Sequence, residues 1–437
     1  MIRRLKRSEF IRNSAWSFLA VAFRSIGGVV VSKLFSVFFG ASGLAILSHF
    51  QNLMGFFTAF ANEGVNKSVV KYWSDKKLTK GEKSGLFKTA LWITGFIMLV
   101  VLIPLVLCFK EFFFGVFLSL GSGSQFVWLF VLGVVLLTFA WCINSLILVE
   151  SNVKTYAIIN VLGLILMVAS VYAGVHSREL VTALLFFVIG NGGMLVFSLF
   201  YLICRKRALL KTFKGWPEKV ALKRISKFLT MAISVVLFGQ VLDFIVRDYI
   251  IGTYGLSKTG EWQAVVKMSS NYLLLFTNVI GAVYYPKISR LIYDHTALRN
   301  YVLKVMALMS VVSVLCLSIY YLNKGLFLTV FFDKQLEGAA YLVKYQAIGD
   351  FFALNSFLLA TVLVAKVQTR EFIFGRFISA IIFISTILFL LEGMDLEALT
   401  LGYMFRQMGL FLLLLFFNRG LLFGTPLEKK RHNDVSN

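Results

Sequence analysis

AWSFLAVAFRSIGGVVVSKLFSVFF, residues 15–39, follows a basic start, MIRRLKR, and contains only two charges, Arg24 and Lys33. At about 1.5 Å of helix rise per residue the stretch is long enough to cross a hydrocarbon core of about 30 Å. It is too long for the apolar centre of a secretory signal and lacks a small-residue cleavage site, so it reads as a first membrane span.

The pattern repeats along the chain. Apolar stretches separated by polar or charged breaks predict twelve helices, approximately Ala15 to Phe39, Ser42 to Val70, Ser84 to Leu107, Gln125 to Val149, Val153 to Val175, Leu180 to Ile203, Ile225 to Ile250, Gln263 to Tyr285, Tyr301 to Leu322, Ala339 to Ala365, Phe372 to Leu391 and Leu396 to Phe417. Composition agrees: 59% of the 437 residues are hydrophobic and 15% are charged, against about 25% charged in soluble domains. The net charge of +23 would suggest nucleic acid in a soluble chain, but this apolar fraction excludes a solvated basic domain.

The positive charges report topology. Of the 44 Lys and Arg, 33 fall in segments 1–14, 66–88, 150–155, 204–227, 287–304, 366–376 and 418–437, which share one side if the chain crosses twelve times. Six lie on the other side and five lie within spans. The positive-inside rule makes the richer side cytoplasmic, with both termini there. The basic segment 204–224 divides the helices six and six. It predicts an N-terminal bundle over 1–203, a linker over 204–224, a C-terminal bundle over 225–418 and a tail over 419–437.

The halves look related. Phe39-Gly40-Ala41-Ser42-Gly43-Leu44 follows the first span and Tyr254-Gly255-Leu256-Ser257-Lys258-Thr259-Gly260 follows the seventh. Each next span ends in a basic pair, Lys67 with Lys71 and Lys287 with Arg290. Both first helices start on the cytoplasmic side, so the repeat would be parallel, about an axis along the membrane normal.

Enzyme chemistry has no foothold. The sequence contains no phosphate-binding Gly-rich loop, HExxH, nucleophile triad or paired carboxylates at a suitable spacing. Cys108, Cys142, Cys204 and Cys316 are scattered and cluster with none of the four His, which predicts neither a metal site nor a cofactor. Nothing resembles a repeated channel filter, and twelve helices in two halves suit a carrier.

Ionisable residues inside spans therefore carry the functional reading, because each costs at least about 2.5–3.5 kcal/mol at the bilayer centre without a partner or a cavity. Arg24 and Lys33 are nine residues apart, half a turn out of phase, so one can face a cavity while the other meets a neighbouring helix or reaches outward. Asp243 and Arg247 sit at i and i+4, close enough for a structural ion pair. Lys267 lies near the outer end of its span, where it either reaches the interface or lines a cavity. Asp350 and Arg406 both fall near mid-membrane and could pair with each other. The second span carries Ser48, His49, Gln51, Asn52, Asn62 and Glu63 and must turn a polar face inward. After both deep acids are paired, three basic residues remain, an excess that suits an anionic, phosphate-bearing cargo. Asn144, Asn160, Asn191, Gln240, Asn271 and Asn278 offer hydrogen bonds to sugar hydroxyls or between helices.

These residues resemble the polysaccharide transporters of the multidrug/oligosaccharidyl-lipid/polysaccharide exporter (MOP) superfamily, specifically the Wzx-type O-antigen flippases, and in pattern are similar to the lipid III flippases of enterobacterial common antigen. The resemblance rests on Arg24 and Lys33 before Phe39 to Leu44, on Phe50-Gln51-Asn52-Leu53, and on Gly64-Val65 leading to Lys71-Tyr72. It continues through Gly260-Glu261-Trp262-Gln263, Tyr272-Leu273, Pro286-Lys287-Ile288-Ser289-Arg290-Leu291 and Gln346-Ala347-Ile348-Gly349-Asp350. It runs nearly the full length, in order. Ser270 and Asn271 depart from it, since the lipid III branch places an acidic residue there.

The resemblance implies an all-α integral membrane protein of the bacterial inner membrane, with twelve transmembrane helices in two pseudo-symmetric six-helix bundles around a central cavity. It implies a carrier of undecaprenyl-diphosphate-linked oligosaccharide that works by alternating access. Arg24, Lys33, Arg247, Lys267, Arg406, Gln51 and Asn52 would bind substrate, and Asp243, Asp350 and Glu63 would couple proton or sodium flow. Membrane lipid, a polymerase and a chain-length regulator are the partners it implies, and no nucleic acid. Two other readings fit less well. A drug/cation antiporter of the same superfamily needs an acidic cavity, and a membrane polysaccharide polymerase needs a large outer loop with Arg clusters, whereas no outer loop here exceeds about 20 residues.

Overall fold

A computed structural model of the chain describes residues 2–59, 64–73, 78–121, 123–150, 153–205, 217–366 and 368–423. Glu63, most of the 204–224 linker and the end of the tail lie outside them. Among the described residues every regular element is helical, and nine stretches are long and apolar enough to cross a membrane. Many large apolar side chains point outward, among them Leu99, Phe200, Leu308, Leu388 and Phe389, as lipid contact requires and water would not allow in such number.

The difference between nine stretches and twelve predicted spans has a physical cause. The first and second spans form one helical run, α1 (Ile2–Ala59), broken only at Gly40. The seventh begins in Lys219–Val235 and the π turn at Val236–Val241, where several side chains lie outside the described residues, and enters a second helical run, Leu242–Val279, broken at Gly255, which carries most of the eighth. Both hold polar groups, Gln240, Asp243, Arg247 and Asp248 in the one and Gln263, Lys267, Asn271 and Asn278 in the other.

The chain divides into two compact units, Met1–Gln263 with Phe331–Asp333, and Ala264–Val330 with Lys334–Asn437. The first unit holds α1, α2 (Lys67–Trp73), α3 (Lys80–Phe96), α4 (Ile103–Cys108), α5 (Lys110–Ser119), α6 (Ser124–Glu150), α7 (Val153–Val175), α8 (Leu180–Gly192), α9 (Met194–Arg205), α10 (Lys219–Val235) and the start of α11 (Leu242–Val279). A capping box fixes the start of α3: Thr79 Oγ1 accepts from the Glu82 amide, and the Glu82 carboxylate accepts from the Thr79 amide at 2.8 Å. The core is aromatic. Phe50, Phe57, Phe114, Phe117, Phe126 and Phe130 interlock largely edge to face, the arrangement ring quadrupoles favour.

The seventh predicted span groups with this unit, which extends to Gln263. It runs antiparallel to the second part of α1. Gln240 meets Asn52 and Gly55, Phe244 meets His49, Arg247 meets Ser48, and Gly260 meets Ala41. A Cβ on Gly260 would fall inside the van der Waals radius of the Ala41 carbonyl, so only glycine permits this approach.

The second unit contains the end of α11, α12 (Tyr285–Leu291), α13 (His295–Leu322), most of α14 (Lys324–Phe331), a 3₁₀ turn at Lys334–Leu342, α15 (Val343–Ala365), α16 (Thr369–Met394), α17 (Glu397–Phe417) and α18 (Arg419–Leu422). The α17 helix packs against both α15 and α16, and α13 against α15, around Tyr284, Leu358, Leu359, Val362, Leu410 and Leu414.

The two sequence repeats share a backbone feature. Gly40 has φ 65° and ψ −160°, and Gly255 has φ 77° and ψ 175°. This region is open essentially to glycine alone. Helices are also locally underwound into π turns at Ile97–Leu102, Val236–Val241 and Ile280–Tyr284.

Candidate functional site

In the first unit a buried polar cluster forms where α11 crosses the second part of α1. Arg247 is 7% exposed, and its guanidinium donates to the Ser48 carbonyl at 3.1 Å. That carbonyl lies four residues before Asn52, whose side-chain amide donates to Gln240 at 3.4 Å. Asp243, one turn before Arg247 on α11, acts electrostatically on the guanidinium, as the i, i+4 spacing predicts. His49 is 1% exposed and lies between the Phe117 and Phe244 rings at 5.4 and 4.6 Å, with the Asp248 carboxylate 3.9 Å from Nε2. Several buried polar atoms here have no hydrogen-bond partner: Arg247 Nε, both His49 ring nitrogens and Asn52 Oδ1. Such atoms are rare in native interiors, and each loses hydration with nothing in return. A guanidinium with a free donor beside an unpaired amide oxygen and imidazole can hold an anionic oxygen and its hydroxyl-bearing neighbours.

In the second unit Asp350 on α15 has no solvent exposure. Ser269 Oγ donates to its Oδ1 at 2.6 Å, the Tyr403 hydroxyl at 2.9 Å and Gln346 Nε2 at 3.5 Å, while the Tyr272 hydroxyl donates to Oδ2. Tyr320 packs edge-on against Tyr272. Gln346 reaches Asp350 because the two are one helical turn apart, and Tyr403 reaches it because Gly349 lets the ring lie on the α15 backbone. These four hydrogen-bond donors are all uncharged. A carboxylate so placed is held by dipoles, and it can bind a proton or a small cation.

The structure separates the other predicted residues. Arg24 and Lys33 are both exposed on α1. Gln51, Asp243, Lys267 and Arg406 are half-buried, Lys267 lying two residues before Ser269 on α11. The Arg406 guanidinium stacks over the Phe383 ring at 5.2 Å and acts electrostatically on Tyr403, while the bonds described for Asp350 come from neutral groups. Glu63 lies outside the described residues. Sequence reasoning did not single out Asp248, Ser269, Tyr403 or the Ser48 carbonyl as site groups. Asp248 adjoins Arg247, and Gln346 precedes Asp350 by one turn, so those two carried a readable signal.

No family profile and no curated protein matches the chain. Solved structures do. An inward-facing multidrug-resistance MATE transporter of the MOP superfamily superposes with TM-score 0.70 at 12% identity, covering 92% of this chain and 94% of that one. The lipid II flippase MurJ in an inward closed conformation gives TM-score 0.70 at 12% identity, over 94% and 87%. A MOP-superfamily transporter from Pyrococcus furiosus, described as having a binding pocket of reverse polarity, gives 0.66 at 14% identity, over 94% and 96%. Identities this low speak for architecture: the chain has the twelve-helix, two-lobe membrane fold that MATE transporters and MurJ share.

Proposed function

We propose that the protein is a flippase that moves an undecaprenyl-diphosphate-linked oligosaccharide from the cytoplasmic to the periplasmic leaflet of the bacterial inner membrane by ion-coupled alternating access, with both termini in the cytoplasm. The observation that carries this reading is Arg247, a guanidinium buried in a membrane span with an unused donor and with unpaired polar atoms beside it. A buried cation that keeps free hydrogen-bonding capacity suits an anionic oxygen, and the adjoining amides of Gln51, Asn52 and Gln240 suit sugar hydroxyls. In this reading Arg24, Lys33, Lys267 and Arg406 contribute charge along the route of the diphosphate. Asp350, with Asp243 and Glu63, carries the coupling proton or sodium. A polymerase and a chain-length regulator would take the product onward.

The test is a proteoliposome assay of leaflet exchange with a fluorescent undecaprenyl-diphosphate oligosaccharide, comparing the native protein with Arg247→Ala. Transbilayer movement should require the protein and fall at least tenfold in the variant. Native protein that does not accelerate exchange refutes the reading. A second reading, export of a cationic drug in exchange for a cation, is favoured by the uncharged surroundings of Asp350. Drug efflux from the same liposomes, lost in Asp350→Asn, would select it.

A further inference from the structure

We propose that the groove between α13 and α15 is a binding site for one anionic glycerophospholipid, with an acyl chain lying in the groove and the phosphate held by Lys324 and Lys344. A cavity of about 630 Å³ opens between the two helices, within the size range of small-molecule sites. Val314, Leu317, Ser318 and Tyr321 line it from α13 at the i, i+3, i+4, i+7 spacing of one helical face, and α15 repeats that spacing from Lys344 to Phe351. Seven residues of helix rise about 10 Å, which fits within the roughly 15 Å that one leaflet contributes to the hydrocarbon core. Both helices belong to stretches long and apolar enough to cross a membrane, and the α13 stretch is the least buried of the nine among the described residues. An apolar groove on so exposed a helix is filled by lipid chain, because water in it would find almost no polar partner.

The charge at one end identifies the headgroup. Lys344 lines the groove at the start of α15, and Tyr321, lining it at the end of α13, has the Lys324 ammonium 4.6 Å from its ring centre. The Lys344 ammonium lies 5.2 Å from the Tyr345 ring centre. Ring contact steadies an ammonium and leaves its N–H donors open, and neither lysine has an ion pair or a hydrogen bond among the described residues. The acids nearest in sequence are Asp333 and Glu337, and Glu337 lies against Gly325 without pairing with Lys324. Topology does not account for these cations. The positive-inside rule keeps lysine from the basic-poor side, yet three of the six basic residues there, Lys324, Lys334 and Lys344, fall within 21 positions. Near a membrane surface each lysine favours an anionic lipid by about fivefold, and two by about thirtyfold. A preference of that size selects an abundant lipid and is too weak to gather a scarce one, so the occupant is a phospholipid of the leaflet rather than the polyprenyl cargo.

Native mass spectrometry reads the retained lipid after the full chain is reconstituted in equal parts of phosphatidylglycerol and phosphatidylcholine and extracted again in detergent. One phosphatidylglycerol should stay bound at a collision energy that strips phosphatidylcholine, with a preference of about thirtyfold. Lys324→Gln and Lys344→Gln should each lower that preference about fivefold, and the two together should abolish it. Lys334→Gln, which does not line the groove, should leave it unchanged. Ala347→Phe fills the buried floor of the groove and should release both lipids. Ser318→Phe fills it from the α13 wall and decides the point if Ala347→Phe fails to fold. Equal retention of the two lipids by the native protein overturns the proposal, as does a preference that survives both lysine changes or both filled grooves. Undecaprenyl phosphate that displaces phosphatidylglycerol at equal mole fraction would give the groove to the cargo, and would overturn it too. The flippase reading is tested apart from this, by leaflet exchange.

Discussion

Gly349→Ala should disable Asp350 without touching its carboxyl group. A Cβ at Gly349 would stand 2.6 Å from Tyr403 Cδ1 and 2.7 Å from Cε1, with Met404 Cα at 3.2 Å. Carbon atoms rest about 3.5–4.0 Å apart, so the ring must retreat by about 1 Å. The Tyr403 hydroxyl now lies 2.9 Å from Asp350 Oδ1, and that retreat carries it beyond hydrogen-bond length. A hydrogen bond to a charged group contributes about 1.5–3 kcal/mol, and overpacking costs a further ~1–3 kcal/mol. Tyr403→Phe removes only the bond. Because the same bond cannot be lost twice, Gly349→Ala combined with Tyr403→Phe should destabilise by less than the sum of the single changes, the shortfall being about 1.5–3 kcal/mol. Equilibrium unfolding of the four proteins in mixed detergent micelles measures the cycle. Additivity within about 0.5 kcal/mol would mean that the glycine does not act through the tyrosine, and the account of this site would be wrong.

Gly40→Ala and Gly255→Ala should each cost about 1–3 kcal/mol, because both place a side chain in backbone that only glycine occupies comfortably. Gly252→Ala, on the same helix with open space around it and helical backbone, should be neutral or stabilising by up to about 1 kcal/mol; thermal melts of the three variants check the contrast. Gly260→Val should lower the melting temperature far more than Gly252→Val, since its side chain meets the Ala41 backbone; equal losses would refute that contact. Arg24→Ala should abolish surface polysaccharide in cells while the protein stays at native abundance in the membrane; unchanged polysaccharide would remove Arg24 from the route.

Much of the architecture was legible because lipid imposes a simple code. Apolar length marks a span, and basic residues mark its ends. The code failed where the protein needs polarity inside the membrane. The seventh span stood out as an apolar stretch, but nothing in it showed that it packs along α1 through Gln240, Phe244 and Arg247, a pairing between residues nearly 200 positions apart. Asp350 was visible as a lone acid in an apolar helix. Its partners were not, since Ser269, Tyr272 and Tyr403 come from two other helices and have ordinary neighbours in sequence. The i, i+4 relation of Asp243 and Arg247 was readable because it lies within one helix, whereas the Ser48 carbonyl, being backbone, leaves no mark in a sequence at all.

The π turn at Val236–Val241 sits between Lys219–Val235 and the α11 residues that face α1. A π turn holds one residue more than the α turn it replaces, so everything beyond it is rotated by about 100° relative to an uninterrupted helix. Deleting one residue there would leave a sound helix and a length change too small to notice, yet it would swing Asp243, Phe244 and Arg247 off Ser48 and His49 together. A homologue with a straight seventh helix should therefore show a one-residue gap within 236–241. Aligning the two without that gap would equate residues on different helix faces, and would make a charge that has only been rephased look like a substitution.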